Sequence, residues 1–269
     1  MIDILLPVYN GGRYLQEQLD SIINQTYDDW RLIARDDGST DNSMDIIRDY
    51  QTKYPGKFVV LEDSLGNQGT SGCNHLLLQA VTSDYFMYCD QDDIWEKDKI
   101  EVTMGEMQKM EQSYPQLPIL VCSDACCIDE DGEVLYPSFF ENQKFIDVTD
   151  NVCKILALNV VQGSTALMNR AVKETIRFIP KNLYHDWWTA VNVVYYGKVV
   201  YIHKQLLRYR QHTRNVVGAL DVGIAYHLKK LSHAKTQMHI YSTMYRQLSF
   251  KPSIWLWIYY KIAINIRRI

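Results

Sequence analysis

The sequence predicts an α/β domain, a mostly parallel sheet covered by helices on both faces, followed by a helical C-terminal extension. Three observations carry that prediction. Strand-like and helix-like stretches alternate through the first third of the 269 residues, and a βαβαβαβ order calls for parallel strands joined by right-handed crossovers. Each of those strands ends in a polar segment rich in Asn, Asp or Gly. Hydrophobic residues make up 47% of the chain, and no linker, low-complexity tract or internal repeat divides it, so one large domain fits better than several small ones. The expected division is residues 1–221 for the domain and 222–269 for the extension.

Ile4 to Val8 is apolar enough for a buried strand. Leu15, Leu19, Ile22 and Ile23 share one face of a helix. Trp30 to Ala34 is the second strand, and Asp41 or Ser43 is placed to cap a helix carrying Ile46, Ile47 and Tyr50. Phe58 to Leu61 is the third strand, Gly69 to Ala80 the third helix, and Tyr85 to Cys89 the fourth strand. From Asp98 to Gln112 a helix puts Ile100, Met104 and Met107 on one face, where methionines serve packing. Pro118 to Ser123 is a further strand, and Asp131-Gly132 between two apolar runs signals a hairpin. Residues 136–150 read as a loop, Gln162 to Met168 as a strand behind a tight polar turn, Val191 to Tyr195 as part of a helix, and Val199 to Ile202 as a strand.

In open parallel sheets ligands bind beyond the carboxyl ends of the strands. Those ends here are Pro7-Val8-Tyr9-Asn10-Gly11-Gly12, Arg35-Asp36-Asp37-Gly38-Ser39-Thr40-Asp41, Gly66-Asn67-Gln68-Gly69 and Asp90-Gln91-Asp92-Asp93. Each alone is an ordinary turn; together they fall on one edge. The aspartate cluster is the most costly, since like charges a few ångströms apart repel by about 1 kcal/mol in water and several-fold more near a protein surface. An Asp-x-Asp pair suits a hard divalent cation such as Mg²⁺ or Mn²⁺, which takes one or two carboxylates and fills its other positions with water and phosphate oxygens. The bland alternative is a polar turn with capping aspartates before the next helix. No G-x-G-x-x-G and no Walker A sequence is present, so neither a dinucleotide nor an NTP cradle is indicated.

Pro-Val-Tyr-Asn near the start, Asp-Asp-Gly-Ser-Thr-Asp after the second strand, Asn-x-Gly before a helix and Asp-x-Asp-Asp after the fourth strand resemble family 2 glycosyltransferases of GT-A fold, in both order and spacing. The resemblance spans about residues 1–215. The Cys-Asp-Gln-Asp-Asp-Ile-Trp form is similar to bacterial rhamnosyltransferases and related surface-polysaccharide transferases. The resemblance implies that Pro7, Tyr9, Asp36 and Asp37 hold the nucleotide base, that Asn67 and Gly69 border its pocket, that Asp90 and Gln91 lie along the donor, and that Asp92 ligates the metal. One departure is Cys73 before Asn74, where many relatives carry Arg.

Two later constellations join these. In Tyr184-His185-Asp186-Trp187-Trp188, Asp186 reads from the residues alone as a helix N-cap, typically worth about 1 kcal/mol. The resemblance makes it the general base for an acceptor hydroxyl, with Trp187 and Trp188 as a sugar-stacking surface and Gly163 beside the acceptor. In Arg208-Tyr209-Arg210-Gln211-His212-Thr213-Arg214-Asn215, the resemblance implies His212 as a further metal ligand and Arg210 or Arg214 as a phosphate partner.

The net charge of −4 hides an asymmetry, because after Asp221 there are eight Lys or Arg and no Asp or Glu. The tail is thus about +8 and the rest about −12, which suggests an anionic partner. Ile254-Trp255-Leu256-Trp257-Ile258-Tyr259-Tyr260-Lys261-Ile262 is aromatic and basic, too short to span a membrane but suited to an interfacial helix. A helical hairpin packed on the domain, or a dimer contact, is the alternative. The first residues carry no basic region and long apolar core of a secretory signal. The six cysteines show neither disulfide-framework nor zinc spacing, so buried reduced thiols in a cytoplasmic protein are expected.

These readings amount to an inverting, metal-dependent transfer of a sugar from a nucleotide-diphospho-sugar, dTDP-rhamnose or a UDP-hexose, to a glycan hydroxyl. The tail implies a polyprenyl-diphosphate-linked acceptor and a peripheral position at the inner face of the cell membrane. Nothing points to nucleic acid. A sugar nucleotidyltransferase would show a Gly-rich, Arg- and Lys-bearing loop after the first strand, which Asn10-Gly11-Gly12-Arg13 matches poorly. A non-catalytic membrane-associated nucleotide-sugar-binding protein would have no use for a base at Asp186.

Overall fold

The structure is a computed structural model that describes residues 1–212 and 234–268, with side chains from 238 in the second stretch. Arg214 and the boundary expected at 221/222 lie outside the described residues.

The chain begins with β1 (Ile2–Val8), α1 (Leu15–Ile23), β2 (Trp30–Asp36), α2 (Ser43–Lys53), β3 (Phe58–Val60), α3 (Gly69–Ala80) and β4 (Tyr85–Tyr88). β3, β2, β1 and β4 lie side by side in that order, all parallel. Val8 is level with Asp36 and Leu5 with Tyr88, so the three polar tips converge at one edge. Both faces of β1 are buried and its side chains alternate between two cores. Leu5, Phe86 and Tyr88 face a core with α3; Ile4, Leu6, Val8 and Met87 face the core under α1 and α2. Asp3, fully buried in β1, accepts N–H groups of Thr82 and Ser83 at 2.8 and 3.0 Å and pairs with Arg31 at 2.8 Å, which removes the penalty of an unpartnered charge.

The second half extends the same sheet. It contains β5 (Ile94–Trp95), α4 (Lys99–Ser113), β6 (Ile119–Ile128), β7 (Val134–Tyr136), α5 (Phe139–Asn142), α6 (Val152–Ala157), a 3₁₀ turn (Gly163–Thr165), β8 (Leu167–Asn169), α7 (Arg170–Ile176), α8 (His185–Tyr196) and β9 (Lys198–Arg210). β8 inserts antiparallel between β4 and β6; β9 runs parallel to β6, and β5 closes the edge. The result is the mixed, mostly parallel sheet with flanking helices that the alternation predicts.

Four local expectations need correction. β9 is far longer than Val199 to Ile202, running 13 residues past irregular register at Ser123–Ala125 to deliver Arg210 and His212 to the strand tips. The stretch 136–150 carries α5, whose first turn is capped by Ser138 Oγ accepting the Glu141 N–H at 3.0 Å. Asn42, not Asp41 or Ser43, directly precedes α2 and makes no side-chain cap, while Asp41 Oδ1 accepts the N–H of Ser43, the first residue of the helix, at 3.0 Å. Asp186 is inside α8, and Tyr184 precedes that helix.

The tail helices, α9 (Ala234–Gln247) and α10 (Ile254–Arg267), are built into the fold. Tyr241, Met244, Leu248, Phe250 and Ile264 belong to the core shared with α3, α6 and α8, and α10 packs on α6. All six cysteines are free thiols. Among the described residues no helix is long and apolar enough to cross a membrane.

Candidate active site

The strand tips open onto a cleft of about 1660 Å³. One end is assembled by polar side chains of one tip holding the backbone of the next. Ser39 Oγ accepts the Asn10 N–H at 3.0 Å, Asp41 Oδ2 the Gly12 N–H at 3.0 Å, and Ser43 Oγ the Gly11 N–H at 2.9 Å. The Asp-Gly-Ser-Thr-Asp-x-Ser run is therefore a clamp for the loop after β1. Gln91 completes it: Oε1 accepts the Tyr9 N–H at 2.9 Å and Nε2 donates to the Tyr9 carbonyl at 3.0 Å. A Cβ on Gly11 would come within 2.4 Å of Gln91 Oε1 and so displace that amide. The amide of Gln91 thus orients Tyr9, whose ring stays 51% exposed at the cleft mouth.

Asp37 is the hub between β2 and α3. Its Oδ1 accepts from Arg35 at 2.5 Å and from the Gln68 N–H at 2.7 Å, and its Oδ2 accepts the Gly69 N–H at 2.8 Å. Asn67 Nδ2 donates to the Asp37 carbonyl at 2.8 Å. A carboxylate offers about four acceptor sites, so little of Asp37 is left for a ligand. Arg35 is buried, and a second carboxylate, Asp63, holds it at 2.8 Å and raises its pKa. Pro7, Asp37, Asn67 and Gly69 line the cleft; Asp36, whose carboxylate accepts the Ser39 N–H at 3.0 Å, does not.

The acidic cluster lies at the centre. Asp90 and Asp92 line the cleft and Asp93 is buried beneath. Burial, then the charges of Asp92 and Asp186, push Asp90 well above the usual carboxylate range. Asp93 is pushed up for the same kind of reason, burial first and then Asp92 and Asp90, and its Oδ2 has no hydrogen-bond partner. His212 Nε2 meets Asp92 Oδ2 at 2.8 Å, with its ring stacked on Tyr14 at 5.4 Å. Lys99, unremarked in the sequence, is fully buried behind the cluster over the Trp95 ring at 3.3 Å, and burial draws its pKa down to about 7. Its ammonium donates to the Ser164 carbonyl.

Among the described residues no group of three or more His, Cys, Asp or Glu side chains is arranged to hold a metal unaided. The Asp92–His212 pair nevertheless fits a hard divalent ion that takes its remaining positions from water and phosphate.

Arg210 sits differently from the phosphate contact expected of it. Its side chain is 2% exposed. It donates to the Asp92 carbonyl at 2.9 Å, the Glu130 carbonyl at 3.1 Å and Glu17 Oε2 at 2.5 Å. It does not line the cleft; it fixes the backbone of Asp92.

At the other end, the start of α8 brings Asp186 to the same cleft as Asp90 and Asp92. Burial raises the Asp186 carboxyl to about 6, against opposing pulls from the Trp187 and Gly163 backbone and the Asn159 side chain. The Trp187 N–H reaches Asp186 Oδ1 at 2.6 Å. Gly163 faces this helix start, where a Cβ would lie 2.6 Å from His185 Nε2. About 100° of helix rotation separates the adjacent tryptophans: Trp187 borders the cleft, while Trp188 is buried with its indole N–H on the Phe178 carbonyl at 2.8 Å. Trp188 is a core residue, not a sugar platform.

Gln162 is the residue sequence reasoning passed over. It lines the cleft beside Gly163, and both its amide oxygen and nitrogen are buried without a hydrogen-bond partner. Buried polar groups are nearly always paired, which sets this amide apart from the hydrogen-bonded side chains at the other end of the cleft. Lys261 and Arg268 of the tail line this end too. Lys261 donates to the Ala157 carbonyl at 2.7 Å and Arg268 to that of Gln143 at 2.9 Å.

The glycosyl transferase family 2 model matches residues 3–177, more than half of the chain. A dTDP-rhamnosyl transferase, RfbG of Shigella flexneri, is 30% identical over 229 residues, 80% of this chain and 74% of that protein. A poly(ribitol-phosphate) beta-glucosyltransferase of Bacillus spizizenii is 36% identical over 94 residues, 34% of this chain and 15% of that one. Among solved structures, a mannosyltransferase from Pyrobaculum calidifontis in complex with GDP-Man and Mn²⁺ superposes with TM-score 0.65 at 17% identity, covering 99% of this chain and 69% of that one. TarS 1-349 of S. aureus in complex with UDP-GlcNAc superposes at 0.62 and 15% identity, covering 100% and 81%. At these identities the superpositions speak for the GT-A fold, and the family match for the activity. The chain belongs to glycosyl transferase family 2 and is a glycosyltransferase.

Proposed function

We propose that the protein transfers a sugar, with inversion, from a nucleotide-diphospho-sugar to a hydroxyl of a glycan acceptor in surface-polysaccharide biosynthesis. The likeness to the Shigella dTDP-rhamnosyl transferase favours dTDP-rhamnose as donor over a UDP-hexose. The observation that carries the mechanism is the placement of Asp186, with its raised pKa, in one cleft with the Asp90–Asp92 tip.

In this reading the nucleotide lies along the donor end, between the Tyr9 ring and the Asp37–Gly69 junction, with Asn67 at its border. Asp90 faces the donor, and Asp92 with His212 would hold Mg²⁺ or Mn²⁺. When bound, such an ion supplies Lewis-acid charge for the diphosphate. Asp186 accepts the proton as the acceptor oxygen bonds to the anomeric carbon; the bond from that carbon to the diphosphate oxygen breaks, and nucleoside diphosphate leaves. A carboxyl with a pKa near 6 suits this task, being ionised at neutral pH yet basic enough to take a proton. Trp187 and Gly163 border the acceptor. A polyprenyl-diphosphate-linked acceptor, handled at the inner face of the cell membrane, accords with the acid-free tail that walls this end.

Asp186→Asn is the test. It is expected to lower transfer by about 10²–10⁴-fold with donor affinity kept. Asp92→Ala is expected to remove the dependence of donor binding on added Mg²⁺ or Mn²⁺. Normal turnover by Asp186→Asn would end the base assignment, and unchanged metal-dependent binding by Asp92→Ala would end the other.

A further inference from the structure

One face of α10 belongs to the cleft and core, with Lys261, Ile264 and Arg268 turned inward. The opposite face is apolar and bare. Trp255, Tyr259, Ile262 and Ile266 are 79%, 62%, 57% and 65% exposed. Their spacing of four, three and four aligns them along the helix, a stripe of about 16 Å at the helical rise. Leu256 and Ile258 widen it. Scattered exposed apolar residues are ordinary, but a contiguous strip marks an interaction surface.

Charge identifies the partner. Residues 234–268 contain Lys235, Arg246, Lys251, Lys261, Arg267 and Arg268 and no Asp or Glu. Arg246 and Arg267 are exposed, and Lys251, also at the surface, donates to the Leu248 carbonyl at 2.6 Å. Two copies meeting through this stripe about a two-fold axis would bring like charges together with no carboxylate of α9 or α10 to offset them. An anionic lipid surface takes the apolar strip into its headgroup–acyl boundary and the flanking cations onto its phosphates. A small apolar hollow of about 150 Å³ between α9 and α10, with Tyr241 in the wall it shares with the cleft, offers adjoining space for a lipid chain.

We propose that α10 is a two-faced helix: the Trp255–Ile266 stripe lies in the interface of an anionic bilayer, and the reverse face holds the acceptor end of the cleft against it. The proposal rests on the reading of a lipid-linked acceptor and supplies its geometry. A helix is about 10–12 Å across, so docking sets Lys261 and Arg268 within a helix diameter of the headgroups, at the level of a lipid-borne diphosphate.

The test is flotation of the full chain with vesicles of phosphatidylglycerol and phosphatidylcholine, and with phosphatidylcholine alone. Binding at least tenfold stronger to the anionic vesicles is expected. Trp255→Ser/Tyr259→Ser/Ile262→Ser should weaken it at least tenfold, with dTDP affinity and melting temperature unchanged. Should that variant fold poorly, Trp emission decides: the difference spectrum between the native chain and Trp255→Phe should shift to the blue on anionic vesicles. Equal vesicle binding by native and triple-variant chains, an unshifted Trp255 spectrum, or loss of a dimer with vesicle binding intact would each overturn the docking surface. Vesicle binding as described, with sugar transferred to soluble glycan acceptors but not to lipid-linked ones, would overturn the lipid-linked-acceptor reading and leave the surface standing.

Discussion

The two ends of the cleft are built on opposite plans. At the donor end polar groups are spent on one another: Gln91 on the Tyr9 backbone, Asp37 on Arg35 and the Gln68–Gly69 amides, Ser39, Asp41 and Ser43 on the loop after β1. At the acceptor end Gln162 has no partner and Asp186 bears a raised pKa. The first end is hydrogen-bonded within itself before any ligand arrives. In the proposed mechanism the second keeps its polar capacity for the substrate and for a proton, so that holding the donor and activating the acceptor would be separated along one sheet edge.

The sharpest way to expose that difference is to neutralise one residue at each end. Asp186→Asn should lose activity as stated and yet gain stability. A carboxyl whose pKa is raised on folding, from 3.8 to about 6, favours the fold below its unfolded pKa and forfeits that as pH rises through 6. The gain should be about 1–3 kcal/mol at pH 8, a few degrees in melting temperature, and should vanish below about pH 4. Arg35→Met should do the reverse. It strands Asp37 and Asp63 around a lost cation, which for a buried pair costs about 3–5 kcal/mol, on the order of 10 °C in thermal melts. A destabilised Asp186→Asn, or an Arg35→Met variant as stable as the native chain, would erase the contrast.

Smaller effects refine it. Gln91→Ala frees the Tyr9 backbone, so the KM for the donor should rise about tenfold, the equivalent of one or two hydrogen bonds, with kcat little changed. Gln162→Ala removes an amide that the structure leaves unpaired, so the KM for the acceptor should rise a few-fold while thermal stability holds or improves. Steady-state kinetics with donor and acceptor varied in turn distinguishes the two. Shared loss in both constants from either variant would mean that the ends are mechanically coupled.

The donor end was legible in the sequence because its elements are local: an apolar strand, then a polar tip, repeated four times, with the sheet doing the assembly. What escaped depends on distant contacts. β9 was read short because His203, Lys204 and Gln205 interrupt its apolar pattern, yet pairing with β6 carries it to Arg210. Arg210 looked like a phosphate partner by its charge, but Glu17 of α1 and the carbonyls of Asp92 and Glu130 claim it. Trp187 and Trp188 read as a pair, and only the turn of α8 parts cleft from core. Lys99 and Gln162 carried no sequence signal: a buried ammonium and an orphaned amide are facts of tertiary environment. The tail was read as an anchor or a packed hairpin; the structure packs one face of α10 and leaves the other open.

The most direct test of the account is the pH dependence of kcat/KM for the acceptor at saturating donor. It should fall tenfold per unit below an apparent pKa near 6 and be level above it, as the carboxyl of Asp186 takes up a proton. A profile that stays level down to pH 4.5 would contradict the assignment of Asp186 as the proton acceptor.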